Sequence, residues 1–448
     1  MDGTFVARDG RSARRVAVLL AAGAAAWEEQ ALELVAAPGR LALLKRCLDL
    51  SDLLATAARG SAQVAVVSDE LPGLDADALD RLNQAGVRTL VVTGTVSGRP
   101  TPDDEVAVRS RLLRMGASRV LAAEAVGSLP ELVLAAAQED GPFAAPRHDD
   151  AQPVDPGHAE DEVAAGPGRL VVVWGPTGAP GRTTVATGVA AVAAAGGHRV
   201  TLIDADPYGG AVGQHLAVLE DISGLLSAAR LANSGELDPA RLAGIAREVA
   251  PRLRLLTGLP RPDRWTEVRT QAFHQLLTAA VELDEVVVVD TGFGLPSGPA
   301  DPFAGAARDD MTVTALERAD EIIVVASADP VGLTRLARGL RELLDTRPSG
   351  QVTVVVNRMR PTLGWSESEV AGLVGRVAPG LRVHFVPDDR AAADRSLVGG
   401  RTLVEAGDSA LLRSVTRLAA DVLGSEQPVV GRRGRRRHGR RDLAGSRR

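Results

Sequence analysis

Cysteine is nearly absent from this chain: Cys47 is the single one among 448 residues. One thiol excludes a disulfide framework, a CxxC redox motif and a cysteine-rich zinc or iron–sulfur site. It agrees with a reducing, cytoplasmic setting. Aromatic residues make up only 2% of the chain and include one tyrosine, Tyr208. With Ala, Val, Leu, Gly and Arg dominating, that scarcity reads as coding bias. Long apolar runs are missing too, and none approaches the ~20 residues that a membrane-spanning helix needs. The opening MDGTFVARDGRSARRVAVLLAAGAAAW sets basic residues before an apolar run, as a signal peptide does. The run is short and feeds an alternating pattern, so it is read as a first strand.

What is present suits a multidomain α/β protein. The length predicts two or three domains, and 45% hydrophobic residues are ample for packed cores. The net charge of −6 is unevenly spread. Arg432–Arg448 holds nine arginines and one aspartate, a net +8 that leaves about −14 for the rest. Such a tail is either solvated chain or a contact for something anionic.

Residues 13–137 alternate short apolar runs with helix-like stretches. The strands expected there are RRVAVLLA, AQVAVVSD, VRTLVVTG and ASRVLAA. This alternation predicts a parallel sheet with helices on both faces. Residues 138–167 carry five prolines, eight acidic residues and almost no large apolar ones. They cannot bury enough surface to offset ordering and are read as a flexible linker. From 168 to 424 the alternation resumes at larger scale, with strands RLVVVWG, RVTLID, LRLLTG, DEVVVVD, EIIVVAS, VTVVVNR and RVHFVP. SALLRSVTRLAADVLG is amphipathic and reads as a last packed helix. Residues 425–448 turn polar and arginine-rich, and no fold is expected of them.

The stretch VVVWGPTGAPGRTTVATGVAAV is a strand, a Gly- and Pro-rich turn and a helix. That order gathers backbone N–H groups around an anion at the positive end of a helix. Gly178 and Gly181 allow the tight backbone. The Thr183 hydroxyl suits a magnesium ion, and Thr184 follows it. Against the common phosphate-loop pattern G-x-x-x-x-G-K-[ST], the first glycine falls at Pro176 and the lysine at Arg182. Downstream, RVTLIDADPYGG sets Asp204 and Asp206 at a strand's carboxyl end, and DEVVVVDTGFG sets Asp290 at another. Ligands of open parallel sheets sit at that edge, and carboxylates there can hold a magnesium shell. Alone, each aspartate could be a helix cap or a turn residue. Three in order, each closing a strand after such a loop, form a constellation.

On these residues the chain resembles the ParA/MinD superfamily of P-loop ATPases. The resemblance runs over about 250 residues, from Arg169 to Gly424. That family's loop has the form K-G-G-x-G-K-[ST]. Aligned on TGAPGRT, Thr177 stands for the signature lysine, Ala179 for the second glycine and Arg182 for the phosphate-loop lysine. LIDADP is similar to the switch I segment, and VVVVDTGFG to the Walker B strand and switch II. The resemblance implies ATP and Mg2+ as cofactors. It implies Gly178, Ala179, Pro180, Gly181, Arg182, Thr183 and Thr184 around the phosphates. Thr183, Asp204 and Asp290 would stand at the metal, with Asp206, Arg182 and Asp290 in catalysis. It further implies Asn357, in VVVNR, reading the adenine, with Pro387 and Asp388, in VHFVPDD, packing on the base.

The chain most resembles the CpaE/TadZ branch, which joins a receiver-like domain to a MinD-like ATPase. SDELPGLDADAL is similar to a receiver motif, but the phospho-acceptor position is Ser68, beside Asp69. The acidic pair is replaced by Ala21–Gly23, the lysine by Ala123, and Thr93 alone keeps its type. Residues 13–137 are therefore expected to be a degenerate receiver-like, flavodoxin-like docking or dimerisation domain ahead of a doubly wound P-loop NTPase domain.

The substitutions point to rate more than to binding. Thr177 brings no charge, Arg182 is larger than lysine and planar, and Pro180 removes one N–H. Slow ATP hydrolysis in a nucleotide-gated switch is expected, since such a switch does not need fast turnover. The resemblance implies a homodimer that positions a pilus or secretion (Tad-type) or division-related apparatus, acting through its motor ATPase. Two alternatives stay open: a ParA-like chromosome or plasmid partitioning ATPase with its arginine tail on DNA, and a catalytically inactive scaffold. The tail would equally suit an anionic membrane surface, which would place the protein peripherally at the inner face of the membrane. Iron–sulfur carriers of the superfamily need cysteines absent here, and its tyrosine kinases end in a tyrosine cluster.

Overall fold

The computed structural model describes residues 15–94, 102–138, 168–219, 222–295 and 307–424. The linker reading of 138–167, apart from Gln138, and the arginine tail within 425–448 fall outside the described residues.

The first unit runs β1 (Val16–Ala21), α1 (Glu28–Ala36), β2 (Leu41–Arg46), α2 (Leu50–Ala57), β3 (Val64–Ser68), α3 (Ala76–Gln84), β4 (Arg88–Thr93), α4 (Pro102–Met115), β5 (Arg119–Ala122) and α5 (Leu129–Gln138). Its five strands are all parallel in the order β2-β1-β3-β4-β5, which is the flavodoxin-like order. The runs VAVLLA and VAVV are apolar throughout because helices cover both faces of the sheet. Leu19, Leu53, Leu79 and Leu112 pack on one face, and Leu20, Trp27, Leu90 and Leu129 on the other.

One strand here was not expected from the sequence. β2, LALLKR, is rich in helix-forming Leu, Ala and Lys, and its last three residues are exposed. It is an edge strand. Parallel pairing with β1, not residue preference, makes it a strand.

The second unit begins with β6 (Arg169–Trp174), α6 (Arg182–Ala195), β7 (Val200–Ala205), α7 (Val212–His215), α8 (Gly224–Asn233), α9 (Pro239–Ile245), β8 (Arg247–Ala250), β9 (Leu253–Leu256) and α10 (Thr270–Leu283). It continues with β10 (Val286–Thr291), α11 (Asp310–Arg318), β11 (Glu321–Ser327), α12 (Pro330–Asp345), β12 (Gln351–Met359), α13 (Glu367–Val377), β13 (Arg382–Pro387), α14 (Arg390–Gly399) and α15 (Ala410–Leu423). The eight strands lie in the order β13-β12-β11-β6-β10-β7-β9-β8. All are parallel except β8, a short antiparallel edge strand also unexpected from its exposed REVA sequence. β6 lies between β11 and β10, so the loop after it opens at the centre of the sheet.

α6 is Ala- and Gly-rich because it is squeezed between the sheet and α15. A Cβ on Gly188 would stand 3.0 Å from both Leu403 Cδ1 and Val415 Cγ1. α15 buries Leu411, Val415, Leu418 and Val422, the packed stripe its amphipathic pattern predicts. The two units also touch. Gln275 on α10 donates to the Arg114 carbonyl at 2.7 Å, and Arg114 donates to the Gly235 carbonyl at 3.1 Å. Arg269 pairs with Asp77 at 2.5 Å.

Candidate functional site

β6 leaves the sheet at Trp174, and the chain turns back through Gly175–Gly181 into α6. The Ala179 N–H donates to the Pro176 carbonyl at 3.0 Å, closing a tight turn. Gly178 and Gly181 take φ of 72° and 90°, the left-handed region where glycine is unstrained. Space is also short there. A Cβ on Gly175 would fall on the Val325 carbonyl oxygen, one on Gly181 on the Asn357 amide, and one on Gly178 on the Arg335 guanidinium. Glycine at three of the seven loop positions keeps those points free of side chains, which suits close approach of an anion to main-chain N–H groups.

Thr183, in the first turn of α6, donates its hydroxyl to Asp290 Oδ2 at 2.7 Å. Asp290 is the penultimate residue of β10, whose last residue, Thr291, donates its Oγ1 to the Val173 carbonyl at 3.0 Å and ties the strand to β6. Asp204, near the end of β7, lies in register with Asp290. Burial holds both carboxyls well above the usual carboxylate range, and the neighbouring Asp204 charge adds to the effect on Asp290. Asp204 accepts from the Val212 N–H at 3.1 Å and the Asp206 N–H at 3.4 Å, which offsets part of its burial. Gly210 and Gly258 crowd it so closely that a Cβ on either would meet its carboxyl group.

Asp290 Oδ1 is buried with no hydrogen-bond partner. An orphaned buried oxygen beside a second buried carboxylate and a hydroxyl fits a divalent cation. Among the described residues no three His, Cys, Asp or Glu side chains are grouped to hold a metal by themselves. Magnesium needs no such group, since it binds through one or two carboxylates together with substrate phosphates.

Arg182 does not extend from the loop. Its Nη1 donates to the Gly175 carbonyl at 3.0 Å, its Nη2 lies 3.6 Å from Asp206 Oδ2, and both side chains are only 15% exposed. The residue standing for the phosphate-loop lysine is folded onto the residue expected to orient water. Thr184 follows Thr183 in the first turn of α6. Asn357, closing the buried part of β12, donates to the Pro180 carbonyl at 2.9 Å and so ties the loop down. Pro387 and Asp388 lie further out. Pro387 is in register with Met359, the Asp388 N–H donates to the Met359 carbonyl at 2.9 Å, and its carboxylate lies 3.5 Å from Arg390.

In the first unit, Ser68 is fully buried, and Asp69 Oδ1 accepts from the Gly94 N–H at 2.9 Å. Ala21 and Ala22 are buried where the acidic pair would stand. With alanine in both places, that position offers no carboxylate to hold a cation for a phosphoryl group on Asp69.

Two features were not found from the sequence. Tyr208 stacks on Phe293 with ring centroids 4.5 Å apart and donates its hydroxyl to Asp309 at 2.8 Å, while Arg308 lies 4.6 Å over its ring. Burial, with Asp309 second, pushes the phenol up to about 12. This cluster joins the segment after Asp206 to the segments after Asp290. The other feature is Arg335, on α12, against Gly178. Helical spacing gives no sign of either contact, because the partners are far apart in the chain.

No protein-family model matches the chain, and no curated protein does. Solved structures resemble it over somewhat more than half its length. A ParA family ATPase from Chlorobium tepidum TLS is 19% identical, with 56% of this chain and 98% of that one covered, at a TM-score of 0.47. The cell division ATPase MinD of Pyrococcus furiosus is 16% identical, with 57% and 99% covered, at 0.46. An ATP complex of a Cyanothece McdA variant is 19% identical, with 59% and 100% covered, at 0.46. Similarity this distant assigns no residue a role, and the functional reading rests on the site itself.

Proposed function

We propose that residues 168–424 bind ATP with Mg2+ and act as a slowly hydrolysing nucleotide switch of the ParA/MinD kind. The observation that carries this is the Thr183 hydroxyl on Asp290, whose second oxygen is buried and unpartnered, at the foot of a loop opened by Gly178 and Gly181. Thr183, Asp290 and Asp204 would hold the magnesium ion, which supplies positive charge at the phosphates. The loop from Gly178 to Thr184 would hold the phosphates through main-chain N–H groups, with Pro180 contributing none. Asp206 is the residue for orienting water, and Arg182 must leave it to reach a phosphate. That exchange favours binding with slow turnover.

The finer reading follows the CpaE/TadZ resemblance. In it, a homodimer positions a pilus or secretion apparatus, with the first unit as its docking module. The net charge of +8 on Arg432–Arg448 supports the second reading, DNA partitioning, which predicts binding that weakens steeply with salt. Among the described residues no helix is long and apolar enough to cross a membrane.

The test is equilibrium binding of ATP to the full-length chain with and without Mg2+, followed by single-turnover hydrolysis, for wild type, Thr183→Ala and Asp290→Ala. Magnesium-dependent binding lost in both variants is the expected result. A wild-type chain that binds no ATP at millimolar concentration would overturn the reading.

A further inference from the structure

The loop after β6 presents no cation of its own to a ligand. Thr177 is uncharged, and Arg182 is occupied by Asp206 and the Gly175 carbonyl. A positive group at the mouth of the turn comes from another element. α12 crosses beside the loop, and a Cβ on Gly339 would stand 2.9 Å from Pro176 Cβ and 3.1 Å from Trp174 Cη2. One helical turn earlier on the same face, Arg335 lies over Gly178. A Cβ on Gly178 would fall on its Nη1 and stand 3.2 Å from its Cζ. Gly178 therefore serves twice, supplying the positive φ of the turn and leaving the gap that the guanidinium fills. Arg335 is exposed and makes no hydrogen bond or ion pair among the described residues. A long cation aimed at a loop of N–H donors, with no acceptor of its own, sits where an anion would be satisfied by both.

We propose that Arg335 is a phosphate-contacting residue, supplying from α12 of the same chain the positive charge that the loop lacks at Thr177. This rests on the nucleotide reading above and deepens it. The terminal phosphate of ATP would be held between the loop's N–H groups and a guanidinium of the same chain, which would favour ATP over ADP. Arg338, one turn further along α12, is also exposed and makes no hydrogen bond or ion pair among the described residues, so it serves as an internal control.

The experiment measures MgATP and MgADP affinity of the full-length chain for wild type, Arg335→Ala, Arg335→Lys, Arg338→Ala and Thr183→Ala. Loss of one charge-assisted phosphate contact should weaken MgATP on the order of ten- to a hundred-fold. MgADP should change by less than about three-fold, Arg335→Lys should recover part of the ATP affinity, and Arg338→Ala should behave as wild type. If wild type binds ATP and Thr183→Ala abolishes magnesium dependence, yet Arg335→Ala leaves the ATP-to-ADP ratio unchanged, the assignment of Arg335 is wrong while the nucleotide reading stands. If wild type binds neither nucleotide, both are wrong.

Discussion

Asp290 faces Asp204 in register across neighbouring parallel strands, and each residue is only 2% exposed. Two carboxylates in that position, without a cation between them, oppose the fold that holds them. Asp290→Asn keeps an acceptor for the Thr183 hydroxyl and removes one of the two charges. The nucleotide-free variant should be more stable at pH 8 by at least about 1 kcal/mol, or roughly 2–4 °C in melting temperature for a domain of this size. It should also lose magnesium-dependent nucleotide binding. Thermal melts of both proteins in EDTA check the first half, and a variant that melts below wild type would contradict it.

Arg182 is folded onto Asp206 and the Gly175 carbonyl. Asp206→Asn should leave the guanidinium with the Gly175 carbonyl as its one remaining strong partner and remove a negative charge near the proposed phosphate site. ATP affinity should therefore stay within a few-fold of wild type or tighten, while single-turnover hydrolysis falls at least about ten-fold. A ten-fold loss of affinity would mean that Asp206 belongs to the binding apparatus instead.

Tyr208 carries two separable contacts, the stack on Phe293 and the hydrogen bond to Asp309. Tyr208→Phe should cost about 1 kcal/mol through the unsatisfied Asp309. Tyr208→Ala should cost about 2–4 kcal/mol because the stack goes as well. Urea unfolding of the two variants measures the difference. Equal losses would show that the ring contributes nothing beyond its hydroxyl.

His274 lies on α10, where burial, with the Arg318 charge second, pushes its imidazole down to about 4. Below its unfolded value of about 6.5 the unfolded chain takes up a proton that the folded chain refuses. Stability should thus fall as pH drops from about 6.5 to about 4, by up to about 3 kcal/mol from this group. His274→Leu should flatten that part of the stability–pH curve relative to wild type. A variant with the wild-type slope would assign the acid sensitivity to other groups.

Gly235 lies where the two units meet, with φ of 70°, and a Cβ there would stand 2.6 Å from Met115 Cγ and 2.7 Å from the Arg111 carbonyl oxygen. Gly86 has nearly the same φ, 74°, with nothing within 4 Å of a Cβ. Alanine at either position bears the backbone strain, but only at 235 does it also wedge the units apart. Gly235→Ala should cost about 1–3 kcal/mol more than Gly86→Ala and should raise protease sensitivity between the units. Equal stability losses would mean that the contact yields without cost.

Much of the architecture was legible from the residues. VVVVD, EIIVVAS and VTVVVN are runs of strand length rich in β-branched residues, the pattern of a strand buried on both faces. The glycine-rich turn after β6 and the position of the three aspartates were legible because each follows such a strand or lies near its end, so a short local pattern sets each position. β2 and β8 were not legible. LALLKR and REVA are edge strands with exposed residues, and their strand form comes from pairing with β1 and β9.

From its sequence alone, the chain determined two parallel-sheet units, a glycine-lined loop between strand and helix, and the placement of Asp204, Asp206 and Asp290 near strand ends. These follow from local periodicity and from the backbone freedom of glycine. Only the tertiary structure decided how the charges are partnered. Arg182 turns onto Asp206, Asn357 clamps Pro180, and Arg335, far along the chain from Gly178, reaches over the loop. The direction a long side chain takes depends on which elements the sheet order places beside it, and a pattern along the chain carries no record of that order.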